Sequence, residues 1–152
     1  MNWTLKKFED LTLTELYAIL HLRNEVFVVE QNCIYLDVDN LDQSAWHLMG
    51  WQDDNLIAYT RIFPPGISYK EPAIGRVVTS PKNRRSGFVK ELMLQSISAC
   101  EKLFGNTPIT LSAQLYLKNF YTSLGFNAVS DVYLEDGIEH VKMTREDSRK
   151  NP

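Results

Sequence analysis

The sequence predicts a mixed α/β fold of the α+β kind, a largely antiparallel central sheet of about seven strands with helices on both faces. Three observations predict it. The elements run β, α, β, β, β, α, β, α, β, β, so strands outnumber helices. Hairpin turns at Asp53-Asp54-Asn55 and Asp136-Gly137 mix with helical crossovers, which excludes a doubly wound nucleotide-binding fold. A chain of 152 residues, 44% hydrophobic and 11% aromatic, suits one domain over positions 1–152 with one core, and nothing in it reads as a linker.

Trp3 to Phe8 alternates loosely and reads as the first strand. Thr12 and Glu15 then stand at capping-box spacing, with Leu11 and Leu16 at staple spacing, so a helix begins there. Its stripe is Leu16, Ile19, Leu20, Arg23, Val26 and Phe27, of which only Arg23 is polar. Positions 24–42 mix apolar and acidic residues and read as a helix end followed by a loop. Trp46 to Trp51 and Leu56 to Phe63 form a hairpin, ended by Pro64-Pro65-Gly66. Ala73 to Thr79 is the next strand. In the helix after it, Val89, Leu92, Met93, Ile97, Cys100 and Phe104 fall at intervals of three and four, and Gly105 stands at the stop. Pro108 to Leu111 is a short buried strand. Leu117, Phe120, Tyr121 and Leu124 make another helical stripe, stopped by Gly125. A final hairpin joins Val132–Glu135 to Ile138–Val141 across Asp136-Gly137.

The net charge of −3 and pI near 5.6 leave no basic footprint for nucleic acid. Cys33 and Cys100 show neither metal nor redox spacing, and Cys33, with no partner evident in the sequence, reads as a buried apolar cysteine. His21, His47 and His140 are scattered, which gives a metal site no support. No apolar run approaches a membrane span and the N-terminus lacks a signal pattern. The expected setting is the reducing cytoplasm, without membrane or nucleic acid as partner.

Ile74 to Gly87 is the stretch that points to chemistry. A β-branched run ends at Pro81 and the basic turn Lys82-Asn83-Arg84-Arg85, and then opens directly into the amphipathic helix. Backbone N–H groups at a helix start point outward, the helix dipole favours negative charge, and Gly87 lets a ligand approach the backbone. The basic turn stands against an acidic background, as expected for a small phosphate-bearing ligand.

Arg84, Arg85, Ser86, Gly87, Phe88 and Val89 fill the pattern Gln/Arg-x-x-Gly-x-Gly/Ala in order, except that Val89 stands where Gly or Ala is usual. With the strand Val77-Val78-Thr79 ahead of Pro81 and the late segment Asn119 to Phe126, the chain resembles the GNAT superfamily of N-acetyltransferases. Val26 to Cys33, Gln114 to Phe126 and Glu135 to His140 are similar to the bacterial ElaA family within it, and the resemblance covers nearly the whole chain. It implies a sheet splayed between its fourth and fifth strands, with acetyl-coenzyme A in the opening as cosubstrate and no metal. Val77, Val78 and Thr79 would then hold the pantetheine arm through backbone groups. The amides from Arg85 through Ser86, Gly87 and Phe88 to Val89, with the Arg84 and Arg85 side chains, would bind the pyrophosphate. Asn119 would contact the cosubstrate and Tyr121 would face the sulfur. Val89 would narrow the approach to the phosphate while leaving its amide in place.

The implied reaction is direct acetyl transfer to a primary amine in a ternary complex, the acceptor being a small molecule or a peptide. Three groups are needed. A Val78 N–H freed from sheet pairing would be the oxyanion donor. Tyr121 would be the general acid, since a phenol with pKa about 10 suits a thiolate whose parent thiol titrates near about 8.5. Glu30, His47 and His140 are candidate bases, each near a strand end or loop, beside deprotonation through water with no single base. Asp37, Asp39 and Asp42 lie where the family builds its acceptor side and would attract a cationic amine. A non-catalytic acyl-coenzyme A-binding module and an unrelated phosphate-ligand protein are the rival readings. The family also allows a homodimer through the late strands.

Overall fold

Eight strands form one sheet: β1 (Asn2–Lys7), β2 (Trp46–Gln52), β3 (Asn55–Phe63), β4 (Ala73–Thr79), β5 (Ile109–Gln114), β6 (Phe126–Ala128), β7 (Tyr133–Glu135) and β8 (Ile138–Arg145). Their order is β1-β2-β3-β4-β5-β8-β6, with β7 also on β8. The computed structural model describes residues 1–147, so positions 148–152 of the expected domain lie outside the described residues. The sheet is mixed and mostly antiparallel, as the sequence predicts, with one strand more than the expected seven. The addition is β6, too short at three residues to show alternation; it forms along the stretch Met143–Arg145 of β8.

Helices α1 (Leu13–Arg23) and α2 (Phe88–Phe104) cover opposite faces, and a short α3 (Lys118–Ser123) lies ahead of β6. The side-chain alternation of the strands shows this division. Ile19, Leu22 and Val26 pack with Met49, Tyr59 and Val78. The next residues along the same strands, Leu48 and Ala58, pack with Leu92, Met93 and Ile97 of α2. Each fully buried aliphatic side chain of this kind contributes about 1.5–3 kcal/mol. The capping box read from the sequence is closed both ways: the Glu15 amide donates to Thr12 Oγ1 at 3.1 Å, and the Thr12 amide donates to Glu15 Oε1 at 2.8 Å.

The segment after α1 widens instead of stopping. Asn24–Glu30 is π-helical, with Gln31 N–H donating to Val26 O at 3.0 Å and Cys33 N–H to Val28 O at 3.1 Å, both five residues back. Beyond it, positions 33–41 run without helix or strand.

Two irregularities shape the sheet's centre. The parallel neighbours β4 and β5 pair only at Ala73 and Thr110 and part beyond it, the expected splay. Against β3, the register passes from Arg61–Gly75 to Tyr59–Val78, so β4 carries one extra residue there. That bulge lies at Arg76 and Val77, and Arg76 has φ 50°.

Candidate active site

The splay opens a cavity of about 590 Å³, well within the range of small-molecule sites. Its walls are β4 from Ile74 to Thr79, Leu111, Ser112 and Gln114 of β5, the cradle around Arg84 to Val89, and α3 with Tyr121. The end of the π-helix and the β7–β8 turn close the other side, where Cys33 Sγ lies 3.5 Å from the Asp136 carbonyl.

Antiparallel alternation decides which β4 amides face the opening. Ser80 N–H donates to Ile57 O at 2.8 Å, and the register continues through Thr79–Ala58 to Val78–Tyr59. Hydrogen-bonded pairs alternate with open ones, so Val78, two residues from Ser80, also turns its amide to β3. The expected oxyanion donor Val78 is therefore held in the sheet, with its side chain buried against α1. Thr79 turns its amide to the opening instead, and Val77, unpaired in the ladder at the bulge, lines the cavity beside it.

At the cradle, Arg85 (φ 70°) and Gly87 (φ 75°) both take left-handed conformations around Ser86, immediately before α2. Such alternation curls successive N–H groups into an anion-binding nest, continuous with the unsatisfied first amides of the helix. A Cβ at Gly87 would meet nothing within 4 Å, so glycine is favoured there by φ, not by space. This backbone fits a pyrophosphate. Arg84, Arg85, Gly87, Phe88 and Val89 line the cavity, while Ser86 does not. Asn119 is exposed and also outside the lining.

Tyr121 sits in the lining at 5% exposure, edge-on to Phe120 and Phe126 at 5.2 and 6.1 Å. Its hydroxyl makes no hydrogen bond among the described residues. Burial, and then the neighbouring Tyr116, push its pKa up, so the phenol stays protonated and can donate.

The three candidate bases separate. His47 is fully buried, outside the cavity lining. Its Nε2 lies 2.9 Å from the Asp42 carbonyl, which can only accept, so Nε2 carries the hydrogen and Nδ1 accepts from Tyr59 Oη at 2.7 Å. Burial lowers its pKa, and with both nitrogens engaged it is a structural residue rather than a base bordering the cleft. Glu30 and His140 do line the cavity. Glu30 pairs with Arg84 at 2.6 Å. His140 Nδ1 donates to Ile138 O at 2.7 Å, which leaves the neutral ring's lone pair on Nε2, 3.3 Å from Glu135.

The acidic group is also corrected. Asp37 and Asp42 are buried against Arg23, at 2.8 and 2.7 Å. Arg61 reaches Asp39 and Asp42, both at 2.8 Å, and Arg76 reaches Asp37 at 2.9 Å and Asp39 at 3.3 Å. Burial alone would raise the Asp39 carboxyl, but Arg61 and Arg76 override it and hold it at about 2. Three carboxylates matched by three guanidiniums have no charge left to attract an amine. They fix the loop.

Sequence reasoning missed Tyr35, Arg76, Ser112, Glu135 and Asp136 in the lining, and Cys33 joins them there, partly exposed instead of buried. Among the described residues no cluster of side chains suits a metal ion, and no helix is long and apolar enough to cross a membrane.

Comparison with known proteins agrees with this geometry. Residues 21–146 match the family model of an acetyltransferase (GNAT) domain. The chain is 40% identical to Escherichia coli ElaA over 148 residues, 96% of this chain and 97% of that one. A UPF0039 protein of Synechocystis is 41% identical over 144 residues, 94% of each chain. Among solved structures, an acyl-CoA N-acyltransferase from Pseudomonas aeruginosa superposes with TM-score 0.90 at 48% identity, covering 95% of this chain and 99% of that one. The ElaA structure superposes at 0.89, with coverage of 95% and 99%.

Proposed function

Because this chain belongs to the GNAT acetyltransferase family, we propose that it moves an acetyl group from acetyl-coenzyme A to a primary amine, by direct attack with both substrates in the cavity between β4 and β5. The observation that carries the reading is the junction of a splayed sheet and an anion nest in one cavity. Bound acetyl-coenzyme A supplies the activated thioester acyl group.

The chain's own residues do the rest. The amides from Arg85 to Val89, with the Arg84 and Arg85 side chains, hold the pyrophosphate, and the open edge of β4 at Val77 and Thr79 holds the extended arm. Val77 N–H donates to the oxygen on which negative charge develops. Tyr121 donates its proton toward the departing sulfur; because burial raises its pKa, a hydrogen bond to that sulfur is its main contribution. His140 Nε2, beside Glu135, accepts the amine's proton, with Glu30 as the further candidate among the cavity's carboxylates. Holding two reactants in one cavity contributes further through orientation. The acceptor is a small molecule or peptide amine, and the two unpaired thiols suit the cytoplasm.

The test is release of free coenzyme A thiol from acetyl-coenzyme A across a panel of primary amines, with mass analysis of the product. Acceptor-dependent release supports the reading. Tight coenzyme A binding without release from any amine would make the protein a binding module.

A further inference from the structure

We propose that Arg76 is a positioning residue that fixes the amine-side wall of the cavity; this rests on the acetyl-transfer reading of that cavity.

Its backbone is the first argument. Arg76 has φ 50° at the bulge of β4, a conformation that strains a non-glycine residue and costs glycine almost nothing. An arginine at this place is explained by what its side chain reaches. Nε lies 2.9 Å from Asp37 Oδ1, off line for a hydrogen bond, while Nη2 donates to the Asp37 carbonyl at 3.0 Å and reaches Asp39 Oδ2 at 3.3 Å. The guanidinium carbon also lies over the Tyr35 ring, 5.9 Å from its centroid.

The loop it grips supplies the second argument. Along 33–38 the chain alternates: Cys33 and Tyr35 line the cavity and Asp37 is buried, while Ile34, Leu36 and Val38 are exposed at 101%, 78% and 42%. The loop's apolar side chains thus point away from the core, and charge anchors it. Arg23 and Arg61 are buried and stay out of the lining; of the three arginines, Arg76 alone faces the cavity. It therefore joins two parts of the site directly. Its own strand carries the Val77 amide next in sequence, and its side chain sets Cys33 and Tyr35 on the opposite wall. Lysine cannot do this, because one ammonium cannot span two carboxylates and a carbonyl as a planar fork does.

The experiment compares the full-length protein with Arg76→Lys and Arg76→Gly. The glycine variant relieves the backbone while removing the guanidinium, so it separates anchoring from strain. Hydrogen–deuterium exchange over 32–39 is expected to quicken by about tenfold in both, with the amides of α2 unchanged. The dissociation constant for coenzyme A is expected to stay within about twofold, because the pyrophosphate nest is untouched. With acetyl-coenzyme A and L-lysine methyl ester, tyramine or spermidine as acceptor, kcat/KM is expected to fall by about 10²-fold, chiefly in the acceptor KM. Asp39→Asn is expected to give the same phenotype, and the double variant with Arg76→Lys to be no worse than either alone.

Unchanged exchange over 32–39, or coenzyme A affinity falling in parallel with turnover, would overturn the proposal. If the wild type releases no thiol with any acceptor, the acetyl-transfer reading falls and exchange alone decides: faster exchange supports the anchor, unchanged exchange overturns it.

Discussion

The Glu30 carboxylate and the Arg84 guanidinium meet 2.6 Å apart at the edge of the cavity, both half-exposed. One of the two cradle arginines thus already has an anion partner built into the protein. On the proposed function, a pyrophosphate entering the nest would compete with Glu30 for it. Removing the competitor should tighten coenzyme A binding, and since an exposed pair contributes at most about 1 kcal/mol, the gain for Glu30→Gln is bounded at about fivefold. Calorimetric titration with coenzyme A checks it. Equal or weaker affinity would mean that Arg84 serves both anions at once.

Tyr121→Phe separates catalysis from packing. The ring is buried while the hydroxyl, in the cavity lining, has no hydrogen-bond partner among the described residues, so its removal should leave the thermal midpoint about unchanged. Turnover should fall by about 10²-fold while coenzyme A binding holds. Intact turnover with lower stability would assign Tyr121 to the core alone.

Stability should fall on acidification in two stages. The folded pKa of His47 is lowered by burial, so below about 6.5 the unfolded chain takes up a proton that the native state resists, and stability begins to drop. Asp39, held at about 2 against an ordinary 3.8, contributes stability that is complete above the ordinary value and lost as pH falls through that window. Urea unfolding as a function of pH should show both stages, and Asp39→Asn should flatten the second. A single transition unaffected by that substitution would disprove the assignment.

Arg23→Met should be the most damaging of these changes. Arg23 is fully buried between Asp37 and Asp42, and removing one member of such a group leaves buried charge uncompensated, at a cost of about 3–5 kcal/mol. Pairing it with Asp42→Leu should restore part of the loss in denaturant unfolding, because the stranded charge goes too. No recovery would point to packing of the arginine stem as its main contribution.

Wherever a local rule governs, the sequence was readable. Thr12 and Glu15 announce a capping box, Gly105 a helix stop, and Asp136-Gly137 a hairpin, since each depends on neighbours a few residues apart. The basic turn and Gly87 marked the cradle for the same reason. Other features rest on long-range geometry that leaves no local mark. His47 lies in a strand whose alternation gives no sign that both ring nitrogens would be taken by Tyr59 and Asp42. The bulge falls on an arginine, where a glycine would have signalled it. The Val78 amide could be assigned only once its register with Tyr59 was known. Asp37, Asp39 and Asp42 read as unneutralised charge able to attract an amine because their partners Arg61 and Arg76 come from strands well along the chain.

The alternation along 33–38 separates mounting from identity. Charge on Asp37 and Asp39 secures the segment, and Tyr35 is tied into that anchor, its hydroxyl donating to Asp37 Oδ1 at 2.7 Å. Cys33 faces the cavity on a mount whose strength comes from those later positions, and Ile34 and Leu36 are exposed on the outside. A protein of this plan can change its acceptor by point substitution at Cys33, leaving the core, the loop's anchor and the anion nest as they are.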